Sequence, residues 1–172
     1  NEGSLQTLER NAPKAELNGH KAELNLHTML IQELPAEMRA KPMNNPQALY
    51  AMMKSILASE DEINRDKEHF WAIGLNTKLC IRYIELVSLG IIDQTLVTPR
   101  EVFRRAIAEG AASLIVAHNH PSGDVSPSAQ DKSTTEKLIE SGKILNIDVL
   151  DHIVFSAEGF HSMREDGTLF NV

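Results

Sequence analysis

The chain is poor in cysteine, in aromatic residues and in long apolar runs, and each shortage excludes something. Cys80 is the single cysteine among 172 residues, so an internal disulfide is impossible and nothing points to an oxidising compartment. No apolar run reaches membrane-spanning length, and the N-terminus has no signal-peptide core. The chain starts at Asn1 rather than methionine, as a processed or trimmed chain does. A soluble, cytoplasmic protein with no membrane partner is the expectation. One Trp, two Tyr and five Phe leave the core to Leu, Ile, Val, Ala and Met. Positive charge is also short: 17 Lys and Arg against 24 Asp and Glu give −7. A sequence-independent grip on duplex DNA needs uncompensated cations, so nucleic acid is not the expected partner, although a local basic patch remains open. The length suits one domain with an appendage and is enough to bury a real core.

Residues 1–43 form the appendage. Lys14-Ala15-Glu16-Leu17-Asn18 recurs seven residues later as Lys21-Ala22-Glu23-Leu24-Asn25, and His20 recurs as His27. Leu17, Leu24, Ile31 and Leu34 fall on one helical stripe, weakened by Gly19. Two heptads do not make a coiled coil alone, so this helical extension is expected to dock on its own domain, a second copy or a partner. His20 and His27 read as polar residues on a helix edge. Pro35, Pro42 and Pro46, with Asn44-Asn45, mark a linker, and a domain over 44–172 follows.

Leu49, Met52, Met53, Ile56 and Leu57 have the spacing of an amphipathic helix. A charged connection over 60–68 leads to a hairpin over 69–89 that turns at Asn76-Thr77-Lys78. Cys80, with no adjacent histidine, reads as structural. A short strand is expected over 91–97. Thr98, Pro99 and Glu101 open a helix with a cap, a first-position proline and a capping-box acid. Val102, Phe103, Ala106 and Ile107 form its buried face, and Gly110 ends it. Arg100, Arg104 and Arg105 lie on its other faces. Strands follow at 149–155 and 160–163, where His152 and His161 read as structural. Strands and helices alternate loosely, which gives an α/β or α+β sheet flanked by helices.

The chemistry is concentrated in residues 118–131. Ala112-Ser113-Leu114-Ile115-Val116-Ala117 is a strand, and alternation points His118 and His120 the same way. Pro121 ends it, and Ser122, Gly123 and Asp124 turn. Ser126 with Pro127 reads as the cap and first position of a helix. On that helix Ser128 and Asp131 share a face with Leu138 and Ile139, and this face packs toward the sheet. Two imidazoles and a carboxylate are the three protein ligands of a catalytic zinc site, whose fourth position stays open. The plainer account is that the histidines are polar residues where sheet meets solvent and Asp131 a first-turn acid favoured by the helix dipole. The turn, the capped helix and the placement of the acid together favour the metal.

His-x-His, ten residues, then Asp, with Ser three before that Asp, resembles the JAMM motif of the MPN/JAB metalloprotease family. The wording HNHPSGD with SxxD is closer still to the bacterial RadC branch, as are PREVFRRAIAEGAASLIVAHNHPSGD, DHIVFS and SMREDG. The resemblance runs from about Asn44 to the C-terminus and implies a cytidine-deaminase-like sheet flanked by helices. It implies zinc held by His118, His120 and Asp131. It also implies a glutamate just before the first strand that takes and returns a proton of water whose pKa the metal brings toward ~7. Glu68 stands at that point; Glu85 lies mid-strand, and Glu101 is explained by capping. Ser128 is the counterpart of the serine that donates to the developing oxyanion. Asn119 and Asp124 belong to the loop that shapes the site.

Two functions follow from the resemblance. One is a zinc hydrolase of amide or isopeptide bonds, acting on a ubiquitin-like protein or its conjugates, as such peptidases do in bacterial conjugation and defence systems. The other is the DNA-repair or recombination accessory role historically attached to the RadC name. An intact set of ligand positions and the acidic balance favour the first.

Overall fold

The computed structural model describes residues 28–30, 40–90, 97–167 and 169–170. Two strands flank a short hairpin turn at its centre. β2 (Glu68–Leu75) and β3 (Ile81–Gly90) pair antiparallel, and Asn76 closes the turn by accepting from the backbone N–H groups of Lys78 and Cys80. β1 (Thr28–Leu30) pairs with the outer edge of β3. On the other side β2 pairs antiparallel with β4 (Ser113–Asn119), and β4 runs parallel to β5 (Asp148–Phe155). β6 (Phe160–Ser162) closes the sheet, whose order is β1-β3-β2-β4-β5-β6. β2 and β4 are interior strands buried on both faces, which is why Phe70 to Leu75 and Leu114 to Ala117 are continuous apolar runs.

Alternation divides these strands between two cores. Trp71, Ile73, Ile115, Ile153 and Phe155 face α1 (Pro46–Ala58), which contributes Leu49, Met52 and Met53. Phe70, Ala72, Leu114, Val116 and Val149 face α3 (Pro99–Glu109) and α4 (Ala129–Leu145), which contribute Val102, Phe103, Ala106 and Leu138. α4 is the crossover that the parallel pairing of β4 and β5 requires. The result is the expected α/β architecture: a mixed sheet with helices on both faces. The expected hairpin, the amphipathic helix over 46–58 and the Thr98-capped helix ending at Gly110 are all present.

Several expectations need correction. Ile107 is 58% exposed rather than buried; Val102, Phe103 and Ala106 already define the stripe facing the sheet, and Ile107 lies at its edge. The connection over 60–68 contains a short helix, α2 (Glu62–Arg65), because Asp61 caps it by accepting from Asn64 N–H. Thr28–Leu30, inside the expected helical extension, form a strand because the edge of β3 offers an unpaired ladder. The stripe of Leu17, Leu24, Ile31 and Leu34, the pair His20 and His27, and most of the strand expected over 91–97 lie outside the described residues. Among the described residues, no helix is long and apolar enough to cross a membrane.

Candidate metal centre

β4 delivers both histidines and α4 delivers the carboxylate. The site therefore lies outside the carboxyl end of a parallel strand, where open α/β sheets place ligands. His118 is fully buried, Asp131 nearly so, and His120 stands at the rim. His118 Nε2 lies 2.9 Å from His120 Nε2 and 3.3 Å from Asp131 Oδ1, and His120 Nε2 lies 3.7 Å from Asp131 Oδ2. A tetrahedral ion with bonds of about 2 Å spaces its ligands about 3.3 Å apart, so these separations suit one ion. His118, His120 and Asp131 are the one such group of potential ligands among the described residues.

The hydrogen-bond network argues for the cation directly. His120 Nδ1 is 2.6 Å from the carbonyl oxygen of Asp124, which can only accept, so the ring proton sits on Nδ1. His118 Nδ1 is 2.7 Å from Nε2 of His152, a residue fully enclosed behind it. The two Nε2 atoms, the ring nitrogens left to meet a ligand, face each other at 2.9 Å. A cation shared between them suits that spacing. The donor set, two neutral imidazoles and a carboxylate, fits zinc.

Asp131 is oriented by a capping box. Ser128 is the N-cap of α4; its N–H and hydroxyl both donate to Asp131 Oδ2, at 2.7 and 2.6 Å, and Asp131 N–H donates back to Ser128 Oγ at 3.1 Å. One carboxylate oxygen is thus anchored while Oδ1 is turned toward His118. Burial works to raise the Asp131 pKa, but the contact with His118 and the two bonds from Ser128 outweigh it and hold the carboxyl well below the usual range. This corrects the expected cap. Ser126 does not cap α4, because Ser128 is itself still extended and the helix begins at Ala129; the Ser126 N–H instead donates to Asp124 Oδ1 at 2.9 Å.

Glu68 is the first residue of β2. The β2–β4 ladder ends with Phe70 paired to His118, and Glu68 stands two residues ahead of Phe70. Alternation puts Glu68, Phe70 and His118 on one face of the sheet. Asn119, between the two histidines, accepts from His69 N–H at 2.7 Å and donates to Lys67 C=O at 2.9 Å, which fixes the backbone on both sides of Glu68. The competing acids are occupied elsewhere. Glu85 is buried against α3 with Arg104 at 3.7 Å, and its pKa is raised by that burial although Arg104 and Arg105 oppose the rise. Glu101 pairs with Arg100 at 3.4 Å and Arg104 at 3.9 Å. Arg105 pairs with Glu109 at 2.9 Å.

His152 is where sequence reasoning fell short. It has partners: His118 on one side and Thr135 Oγ1 at 2.5 Å on the other. The signal was the pair Asp151-His152 set in a strand whose other buried residues are apolar, but it becomes readable only once β5 is known to lie beside β4. His161 pairs with Asp166 at 2.9 Å. Cys80 Sγ contacts the carbonyls of Ala40 and Lys78, in keeping with a structural role.

Comparison with known proteins agrees with this geometry. A model of the RadC-like JAB domain matches residues 43–168, a span holding all three ligand candidates. A UPF0758 protein of Desulforudis audaxviator is 49% identical over 102 residues, 59% of this chain and 44% of that protein. A UPF0758 protein of Methanosarcina acetivorans is 43% identical over 123 residues, 72% of this chain and 52% of that protein. The chain spans about half the length of the curated relatives it matches. With its mixed sheet and its His-His-Asp cluster, the chain belongs to the RadC-like JAB domain family.

Proposed function

We propose that the chain is a zinc-dependent hydrolase of amide or isopeptide bonds, acting on the extended tail of a ubiquitin-like protein. The observation that carries this reading is the pair of Nε2 atoms 2.9 Å apart at the end of β4, with Asp131 Oδ1 from α4 lying 3.3 Å from one of them. Three ligands with an open fourth position are the mark of a catalytic rather than a structural zinc site. Zinc bound there supplies Lewis acidity, which lowers the pKa of water toward ~7 and polarises a scissile carbonyl.

The chain's own residues supply the rest. Glu68, at the start of β2 two residues ahead of the partner of His118, takes a proton from the attacking water and returns it to the leaving amine. In the resting site the Ser128 hydroxyl is committed to Asp131 Oδ2. To donate to an oxyanion it turns away from that oxygen, while the Ser128 N–H still holds the carboxylate. A cleft of about 380 Å³ opens beside His120, lined by the apolar Leu57, Ala58, Pro121 and Phe155 and by the charged Lys54, Arg65, Asp66 and Glu158. Its apolar part suits a peptide side chain next to the scissile bond.

The comparisons lean toward the other reading, a DNA-repair or recombination accessory of the RadC type: the matching family model carries the RadC name, and neither it nor the relatives name a substrate. Two assays on one preparation decide. Cleavage of ubiquitin-like fusions and isopeptide conjugates is expected, abolished by chelator and restored by zinc. Duplex-DNA binding is expected to be weak at physiological salt, because the chain carries −7 overall. Tight, salt-steep DNA binding with no chelator-sensitive cleavage reverses the ranking.

A further inference from the structure

We propose that Thr135 and His152 form a relay that holds a proton on Nδ1 of His118 and so makes Nε2 the nitrogen that meets a metal ion; this rests on the metal reading above. Thr135 stands on α4 one turn beyond Asp131, and its Oγ1 lies 2.6 Å from the Asp131 carbonyl oxygen. That oxygen has no proton to give, so the hydroxyl proton is committed to it. The Oγ1 lone pair then faces His152 Nδ1 at 2.5 Å, which places a proton on that nitrogen.

One gap remains, the 2.7 Å between His152 Nε2 and His118 Nδ1, and it holds one proton. On His152 the proton would make an imidazolium that is 0% exposed, hydrogen-bonded to a hydroxyl and an imidazole and to no carboxylate. An unpaired charge enclosed in that way is costly. Phe70 closes the region further, stacked on His118 at 6.1 Å and edge-on to His152 at 5.5 Å. The proton therefore belongs to His118 Nδ1, and Nε2 is the nitrogen of His118 turned toward His120 and Asp131. Every link is directional, and the direction originates at a backbone carbonyl that cannot reverse. Thr135 and His152 are positioning residues: they act on the ligand and do not touch the ion.

The relay predicts an effect from a residue remote from the metal. In Thr135→Val the hydroxyl is lost at nearly constant volume. His152 Nδ1–H then has no acceptor, which favours the tautomer with the proton on Nε2. That proton donates to His118 Nδ1 and drives the proton of His118 onto its own Nε2, where it blocks the ligand. The experiment measures two things on the full chain: the His118 tautomer in metal-free protein, from long-range proton–nitrogen correlations, and zinc affinity, by competition with a chromophoric chelator. Wild type is expected as the Nδ1–H tautomer. Thr135→Val is expected to move toward Nε2–H and to bind zinc about 10–100-fold more weakly. Thr135→Ser is expected to restore both. His152→Phe, which keeps a ring but cannot accept the bond, is expected to weaken zinc in the same way. The relay is overturned if wild-type His118 carries its proton on Nε2, or if a folded Thr135→Val keeps both tautomer and affinity. If wild type shows the Nδ1–H tautomer and Thr135→Val shifts it, but neither binds zinc, the metal reading falls and the relay stands.

Discussion

Asp131 does two jobs with two oxygens, and this separation makes the site testable residue by residue. Oδ2 belongs to the cap of α4 and Oδ1 to the ligand set. Asp131→Asn keeps the shape and part of the cap but removes the anionic ligand. It is expected to weaken zinc by at least about 100-fold, and His118→Ala similarly, since a three-ligand site has no replacement. Metal stoichiometry by emission spectroscopy after dialysis checks this; full occupancy in both variants would sink the metal reading. Glu68→Gln is expected to do the opposite, retaining about one zinc per chain while turnover falls about 10²–10⁴-fold. Equal activity in Glu68→Gln with a dead Glu85→Gln would show the wrong acid was chosen. The three candidate ligands could be grouped from the sequence because strand alternation and helical spacing are local rules. Thr135 and His152 were not, because their roles depend on which strand lies beside which, and periodicity does not carry that information.

At the scale of elements, the start of α4 matters most. Pro127 suits a first helical turn, and so Ser126 looked like the cap. Ser128 prevails because Asp131, three residues on, completes a reciprocal box that Ser126 has no partner to make. The two serines therefore separate the possibilities by stability alone. Ser128→Ala is expected to cost about 1 kcal/mol, the usual value of a lost cap, and Ser126→Ala within about 0.5 kcal/mol of nothing. Urea denaturation of metal-free protein measures both, and the reverse order would return the cap to Ser126. Other elements read through cleanly where caps, prolines and apolar spacing agreed, as at Asn45-Pro46 and Thr98-Pro99.

At the scale of the molecule, zinc would join elements that the chain otherwise connects only through a turn. β4 lies at the centre of the sheet and α4 covers one face, so an ion bound to both ties the two layers together. Ligand that binds the folded state alone adds about 2.7 kcal/mol at a hundredfold excess over Kd, which for this size raises Tm by about 5–10 °C. Calorimetry with zinc and with chelator is expected to show that difference in wild type and to lose it in His118→Ala; an equal shift in both would mean the metal binds elsewhere. The sheet order was beyond reach of the sequence, since the place of β1 depends on the open edge of β3 rather than on anything in Thr28–Leu30 themselves. The helical faces, in contrast, followed from spacing.

Asn119 adds a mechanical consequence. Its side chain grips the peptides on either side of Glu68, from within the strand that bears His118 and His120. If β2 slides or tilts against β4, the acid is carried along with the histidines, like a tool clamped to the same jig as its workpiece. The sheet can then breathe as a whole without changing the spacing between Glu68 and the two histidines. Alignment is kept by attachment, not by rigidity.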